Sequence, residues 1–428
     1  MRVSVFPFII AILSMLALNA RAELLIQITE GRTDAVPIAV VPFAGAGDAP
    51  ENVSDIVRAD LHRSGQFKTL SPKDMLSRPT NADVLSYRDF RVLGQEYVVI
   101  GSLKETGTGA YEVSYSLHDV ARGKELLSET YRPPRSQLRD VAHAISDRIY
   151  EQLTGIPGAF STKILYVTFD RGAEFPYQLQ YADADGARAK TILRSNEPIM
   201  SPSWSPDGTK IAYVSFEKNG LPKIYVHELS SAERRVVAQF KGINGAPSWS
   251  PNGQKLAITL SKGGNPDIYS LNLNNGDLEQ LTDHYGIDTE PAWMPDGDHL
   301  VFTSSRSGGP QIYKLNVHDK SVRRVSFEGN YNAGPEVTPD GRYLVYVHRR
   351  NGSFNVGVQD LQRGTFDIVT QTDMDESPSV APNGSMIIYG TQHRGTGVLQ
   401  AVSIDGRVKV ELPSKEGEVR EPAWSPFL

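Results

Sequence analysis

The sequence predicts two domains: a small N-terminal α/β domain, followed by an all-β six-bladed β-propeller that its own C-terminal strand closes. Three observations carry this. A short phrase recurs six times at nearly constant spacing, the first third of the chain lacks it, and the two ends of the repeat array are incomplete in complementary ways. The chain has 428 residues, more than one ordinary core supports, so two or more domains are expected.

The phrase reads Pro202-Ser-Trp-Ser-Pro-Asp-Gly208, Pro247-Ser-Trp-Ser-Pro-Asn-Gly253, Pro291-Ala-Trp-Met-Pro-Asp-Gly297, Pro335-Glu-Val-Thr-Pro-Asp-Gly341, Pro378-Ser-Val-Ala-Pro-Asn-Gly384 and Pro422-Ala-Trp-Ser-Pro426. Its leading prolines are 45, 44, 44, 43 and 44 residues apart. A strand-like run follows each of the first five, such as Ile211-Ala-Tyr-Val214 and Leu300-Val-Phe-Thr303, and further short runs follow that. These runs are β-branched and aromatic and are punctuated by Asp-Gly, Asn-Gly or Gly-Gly, which is hairpin chemistry. Each repeat is therefore a four-stranded antiparallel unit. Such a unit cannot bury both faces alone, and a period of this length identifies the stacked solution as a propeller. Trp204, Trp249, Trp293 and Trp424 share one repeat position and are expected to pack between neighbouring blades.

The array's ends predict how the ring closes. Lys163-Ile-Leu-Tyr-Val-Thr-Phe169 matches the second strand of the repeat with no phrase before it, and Pro422-Ala-Trp-Ser-Pro426 is a first strand with nothing after it. Together they make one blade and leave no free edge at the seam.

The N-terminal domain, residues 23–158, mixes α and β, and the propeller spans 159–428. Pro37-Ile-Ala-Val-Val-Pro-Phe43 and Tyr97-Val-Val-Ile-Gly101 read as core strands. Asn52 caps a helix bearing Val53, Ile56, Val57 and Leu61, which Gly65 ends. Tyr111-Glu-Val-Ser-Tyr-Ser-Leu117 alternates as a hairpin arm, with 126–131 as its return. Ser136 is expected to cap a second helix with the stripe Leu138, Val141, Ala142, Ile145, Ile149 and Leu153, closed by Gly155. Ahead of these lies Glu23-Leu-Leu-Ile-Gln-Ile-Thr29, a short strand with two readings left open. It is either an edge strand of this domain or a detachable strand offered to a partner.

Residues 1–22 read as a Sec-type signal peptide. Arg2 precedes an apolar stretch over 6–18, and Ala20-Arg21-Ala22 supplies a small-x-small cleavage site, so the mature chain is expected to begin at Glu23. A membrane anchor fits less well, because the stretch falls short of the roughly 20 residues a span needs. No later segment is long and apolar enough, so the mature chain is not expected to span a membrane. With no cysteine, disulfide and thiol chemistry are excluded. The 44 basic and 50 acidic residues give a net charge of −6, which disfavours nucleic acid as a partner.

No catalytic set is legible. The chain has no Gly-x-Ser-x-Gly elbow, no His-Glu-x-x-His pair and no phosphate loop. His284, His299, His318, His348 and His393 are expected on the surface or at a pocket rim. Asp183-Ala-Asp185-Gly186 hints at a calcium loop, but Arg194 stands where the closing acid belongs, so a hairpin turn fits better. The expectation is a non-enzymatic protein without cofactor or metal. Its alternative is a periplasmic propeller enzyme or glycan-binding module, with His284, Asp288, Glu290 and Asp375 lining a channel mouth.

The repeats, the Leu153-Thr-Gly-Ile-Pro-Gly-Ala-Phe160 segment, the leader and the terminal Glu421-Pro-Ala-Trp-Ser-Pro-Phe-Leu428 together resemble the TolB family over essentially the whole mature chain. The resemblance implies a monomeric periplasmic component of the Tol-Pal system, which keeps the outer membrane attached and constricting during division. It implies two principal partners, the lipoprotein Pal and TolA, and extends to outer-membrane lipoproteins or porins. Carried over by position, TolA contacts fall on Glu23, Leu24, Leu25, Ile26, Gln27, Ile28, Thr29, Glu30, Gly31 and Arg32. Pal contacts fall on Ile243, Asn244, Gly245, Ala246 and Pro247, and on Thr289, Glu290 and Pro291. Many family members have histidine where this chain has Ile243, which makes that contact more apolar. The resemblance also implies that the N-terminal strand is either tucked against the body or released.

Overall fold

The computed structural model describes residues 27–30, 34–47, 49–107, 109–412 and 417–428. The expected leader and its cleavage site, and Glu23, Leu24, Leu25, Ile26, Gly31 and Arg32, lie outside the described residues. After a first strand β1 (Gln27–Glu30), the N-terminal unit runs β2 (Val36–Val40), α1 (Val53–Arg63), β3 (Phe67–Thr69), α2 (Tyr87–Val92), β4 (Tyr97–Thr106), β5 (Ala110–Asp119), β6 (Lys124–Tyr131) and α3 (Leu138–Thr154). Its sheet has the order β3-β2-β4-β5-β6, with β2 parallel to both neighbours and the β4-β5-β6 meander antiparallel.

Helices α1 and α3 cover one face of that sheet because their apolar residues recur at helical spacing. Val57 and Leu61 of α1 and Ile145 and Ile149 of α3 join Ile38, Val40, Val99 and Leu117 in one core. Phe90 of α2 covers the other face, against Val41, Val98 and Ile100. The Asn52 side chain accepts from the Asp55 N–H and starts α1 as expected. Ser136 does not cap α3. It sits inside a 3-10 turn, Arg135–Gln137, that leads into the helix, and Gln137 takes the cap position without a side-chain bond. The Pro133-Pro134 pair upstream favours this tight entry. Gly155, at φ +74°, ends α3 in the left-handed conformation that glycine adopts without strain.

The remainder forms six four-stranded antiparallel sheets around a channel. Their innermost strands are Glu418–Trp424 in blade 1, then Ile199–Trp204, Asn244–Trp249, Asp288–Trp293, Asn332–Val337 and Glu376–Val380 in blades 2 to 6. Blade 1 joins the two ends of the array. Trp424 pairs with Ile164 and Ala423 with Leu165, so the last strand lies beside Lys163–Phe169 and closes the propeller. The Ser425 N–H donates to the Lys163 carbonyl, and the Lys163 N–H donates to Ser425 Oγ, at 2.9 Å each.

The tryptophans do join blades. Trp204 Nε1 donates to the Ala423 carbonyl at 3.0 Å, and Trp249 packs with Ala212 and Val214 of the preceding blade. Strand β1 departs from the reading as an edge strand of the N-terminal domain. It pairs antiparallel with Lys409–Leu412, the outermost strand of blade 6, and makes that sheet five-stranded. The outer edge of a blade offers unpaired backbone groups, which is sufficient for strand addition.

Candidate partner-binding face and channel

Every innermost strand carries the same irregularity. The residue before the phrase's leading proline has positive φ: Ser201 at 49°, Ala246 at 46°, Glu290 at 54°, Gly334 at 62°, Ser377 at 48° and Glu421 at 55°. The ladder register shifts at each of these points. A bulge is where a strand tolerates proline, which cannot donate to the ladder, so the proline and the bulge belong together. The six bulged residues ring the channel, a cavity of about 890 Å³ lined by all six blades.

The channel wall is acidic. Glu290, Glu336, Glu376 and Glu421 line it. Glu290 Oε2 accepts from Thr303 Oγ1 at 2.8 Å and from the Gly334 N–H at 2.9 Å, tying blade 4 to blade 5. Glu421 Oε2 accepts from the Ser201 N–H at 3.2 Å, tying blade 1 to blade 2. Enclosure by the wall pushes the Glu421 carboxyl up to about 7, helped by Glu376 and opposed by the Ser201 N–H and Arg420. Burial pushes Glu336 up to about 7 as well, against a hydrogen bond from the Val337 N–H.

Because the innermost strands run in one direction, the loops that enter them gather at one mouth. That rim is apolar: Phe240, Ile243, Tyr285, Ile287, Phe327 and Met374 are all exposed there. Ile243 and Ile287 occupy one repeat position in successive blades and are 47% and 51% exposed, unusual for isoleucine. The two segments carried over for Pal contact are therefore brought together as equivalent entries to blades 3 and 4. Within them, Asn244 is buried, and its amide group donates to the Phe240 carbonyl at 2.7 Å while its oxygen accepts from the Phe240 N–H at 2.8 Å. It holds the loop rather than offering a surface. Ala246, Pro247, Glu290 and Pro291 face the channel, Gly245 is half-buried, and Thr289 Oγ1 accepts from Thr259 Oγ1 at 3.4 Å. Sequence reasoning missed Phe240, Tyr285, Ile287, Phe327 and Met374. The signal available was the apolar residue four positions before the phrase proline at 243, 287 and 374.

Of the TolA segment, Gln27, Ile28, Thr29 and Glu30 are described, as backbone only. Gln27 lies opposite Glu411, Ile28 opposite Val410 and Glu30 opposite Lys409.

Of the acids singled out for a channel-mouth enzyme, Glu290 and Asp375 line the channel and Asp288 does not, and all three already hold hydrogen bonds. Asp288 is fully buried and accepts from Ser304 Oγ and Arg306, both at 2.6 Å. Asp375 is buried and accepts from Thr391 Oγ1 at 2.8 Å as well as from Thr370 and Thr372. His284 Nδ1 accepts from the Gly286 N–H at 2.9 Å. His348 is not at the surface; it is buried against the Phe366 ring and hydrogen-bonds Asn332 at 2.8 Å. Among the described residues one trio of potential metal ligands converges, Asp60, His143 and Asp185. Arg63 is already paired with Asp60 and Arg139 with Asp185, so guanidinium groups fill the place of a cation. The Asp183-Ala-Asp185-Gly186 segment forms the expected turn, with Gly186 at φ +83°, but its acids face α3 of the N-terminal unit.

Residues 24–126 match the TolB amino-terminal domain and residues 150–428 the TolB beta propeller domain. The chain is 80% identical over 415 residues to the Tol-Pal system protein TolB of Alcanivorax borkumensis, covering 97% of this chain and 96% of that one. It is 55% identical over 409 residues to the Tol-Pal system protein TolB of Pseudomonas entomophila, covering 94% of each. The crystal structure of TolB from Acinetobacter baumannii superposes with a TM-score of 0.89 at 43% identity, covering 95% of this chain and 100% of that one. With both of its regions matched and relatives this similar along nearly its full length, the chain belongs to the TolB family of Tol-Pal system components.

Proposed function

We propose that this Tol-Pal component is a non-enzymatic periplasmic adaptor that links Pal to TolA, and so supports outer-membrane integrity and constriction during division. The leader would be removed after Ala22, freeing a mature chain that starts at Glu23. Pal would dock on the rim around Ile243, Asn244, Gly245, Ala246 and Pro247 and around Thr289, Glu290 and Pro291. The segment from Glu23 to Arg32 would engage TolA by strand addition.

The observation that carries this reading is the backbone pairing of β1 with the outer edge of a blade, in a propeller whose channel mouth is ringed by exposed apolar side chains. A strand held only at an edge can exchange one partner for another, since strand addition needs little beyond exposed backbone groups. An apolar rim with polar surroundings suits a protein surface. For Pal to influence strand release, it must bind the tucked and released forms with different affinity.

Removing residues 23–32 should leave the fold and Pal binding intact and abolish TolA binding by calorimetry. Undiminished TolA affinity would refute the strand's role. Ile243→Asp with Ile287→Asp should weaken Pal binding about 100-fold, equal to roughly 3 kcal/mol, by placing charge in an apolar contact. TolA binding measured with the same variant is the control for folding.

A further inference from the structure

His143 sits where the N-terminal unit meets the propeller, and both of its ring nitrogens face carboxylates. It lies on α3 and is 2% exposed. Nδ1 is 2.8 Å from Asp60 Oδ2 on α1, which also accepts from Ser146 Oγ at 2.8 Å. Nε2 points across the interface at the blade 1 turn, 3.7 Å from Asp185 Oδ2 and 4.0 Å from Asp183 Oδ2, and has no hydrogen-bond partner.

The surrounding charges are nearly matched. From α1, Arg63 pairs with Asp60 and lies 3.7 Å from Asp185. From α3, Arg139 pairs with Asp185 and reaches Asp183 and Glu51, each at 3.3 Å. From blade 1, Lys163 and Arg188 pair with Asp183, and Arg188 also pairs with Asp140 of α3. Asp147 of α3 is occupied by the Phe160 and Ser161 N–H groups. The paired acids Asp60, Asp183, Asp185, Asp140 and Glu51 thus outnumber Arg63, Arg139, Lys163 and Arg188 by one. A proton on His143 supplies the missing charge. It also gives Nε2 a hydrogen to direct at Asp185 and Asp183.

We propose that His143, as an imidazolium, is a pH-dependent latch joining the N-terminal unit to the propeller. In the neutral form one carboxylate of the network loses its balancing charge, and the joint loosens. Burial by itself pulls the imidazole down, but Asp60, the hydrogen bond to it and Asp185 outweigh burial and the opposing Arg139, so the net shift is upward. The sign follows. The latch is fully present below the ordinary histidine value of about 6.5 and is lost as pH rises through the higher folded value.

The joint borders the strand that holds β1. Asp60, Arg63 and Asp185 line a cavity of about 80 Å³ whose apolar wall includes Val410 and Leu412, and Val410 lies opposite Ile28. Opening the latch therefore loosens the β1 dock, a consequence that matters only if β1 has its proposed role.

The test uses the full mature chain from pH 5 to 10. Ring-nitrogen NMR follows His143, and hydrogen exchange corrected for base catalysis follows residues 409–412. His143 should lose its proton only above the ordinary histidine value of about 6.5, and exchange should rise several-fold as it does. His143→Gln should exchange at the raised rate at every pH, without a step. Loss of the His143 proton below pH 6.5, or the same exchange profile in wild type and variant, would overturn the latch. Should the variant not fold, the wild-type titration and exchange step must still coincide, and their separation overturns it equally. TolA is absent throughout, so failure of the strand's proposed role leaves this result readable.

Discussion

Glu421 does two opposed things at one position. Its carboxylate bonds the Ser201 N–H of the next blade, which favours the folded ring, yet enclosure in the channel beside Glu376 disfavours its charge. With a folded value near 7 against an ordinary 4.5, its favourable contribution is full below 4.5 and lost as pH climbs through 7. Glu421→Gln keeps an acceptor for Ser201 and removes the charge. It should stabilise the protein by on the order of 1–2 kcal/mol at pH 8 and by almost nothing at pH 4.5, measured by urea unfolding. A variant that is equally stabilised at both pH values would show that charge is not the cause. A channel-mouth position was legible for Glu290, the equivalent glutamate before proline, but the burial of Glu421 was not, because nothing in the sequence shows that the bulge turns it toward five other strands. The phrase tryptophans were legible, since large aromatics at one repeat position have few other places to go.

Among elements, the closing strand was the most readable, because two unmatched fragments of one repeat can satisfy their backbones only through each other. Deleting residues 422–428 removes the pairs Ala423–Leu165 and Trp424–Ile164, the Trp204 bond to Ala423 and the Ser425 bonds to Lys163. It opens an edge in blade 1 and strips Trp424 from the seam. Losing a packed tryptophan alone costs about 3–5 kcal/mol, so the melting temperature should fall by roughly 10 °C or more by scanning calorimetry. A truncated chain that melts like the full one would mean the ring is held elsewhere. Elements whose ends depend on local competition were less readable. Ser136 has the chemistry of a cap, but the tight turn after Pro133 and Pro134 carries it past the position where its oxygen could serve. Strand β1 was readable as a strand and not as a guest of blade 6, since alternation specifies a face and says nothing of which open edge receives it.

At the scale of the molecule, an ion-pair network joins the two units where α3 meets blade 1, and it bears on how they unfold. Arg139 bridges them through Asp183 and Asp185, whose side chains are 2% and 5% exposed. Removing one partner of a buried pair leaves an uncompensated charge, which costs about 3–5 kcal/mol. Arg139→Ala should therefore separate a cooperative melting transition into two, with the N-terminal unit unfolding first and the propeller close to its original temperature. Asp185→Asn in the same chain should recover part of the loss, because the stranded carboxylate is then neutral. If Arg139→Ala retains one transition at the wild-type temperature, the interface is carried instead by contacts such as the Asn383 side chain on the Pro157 carbonyl.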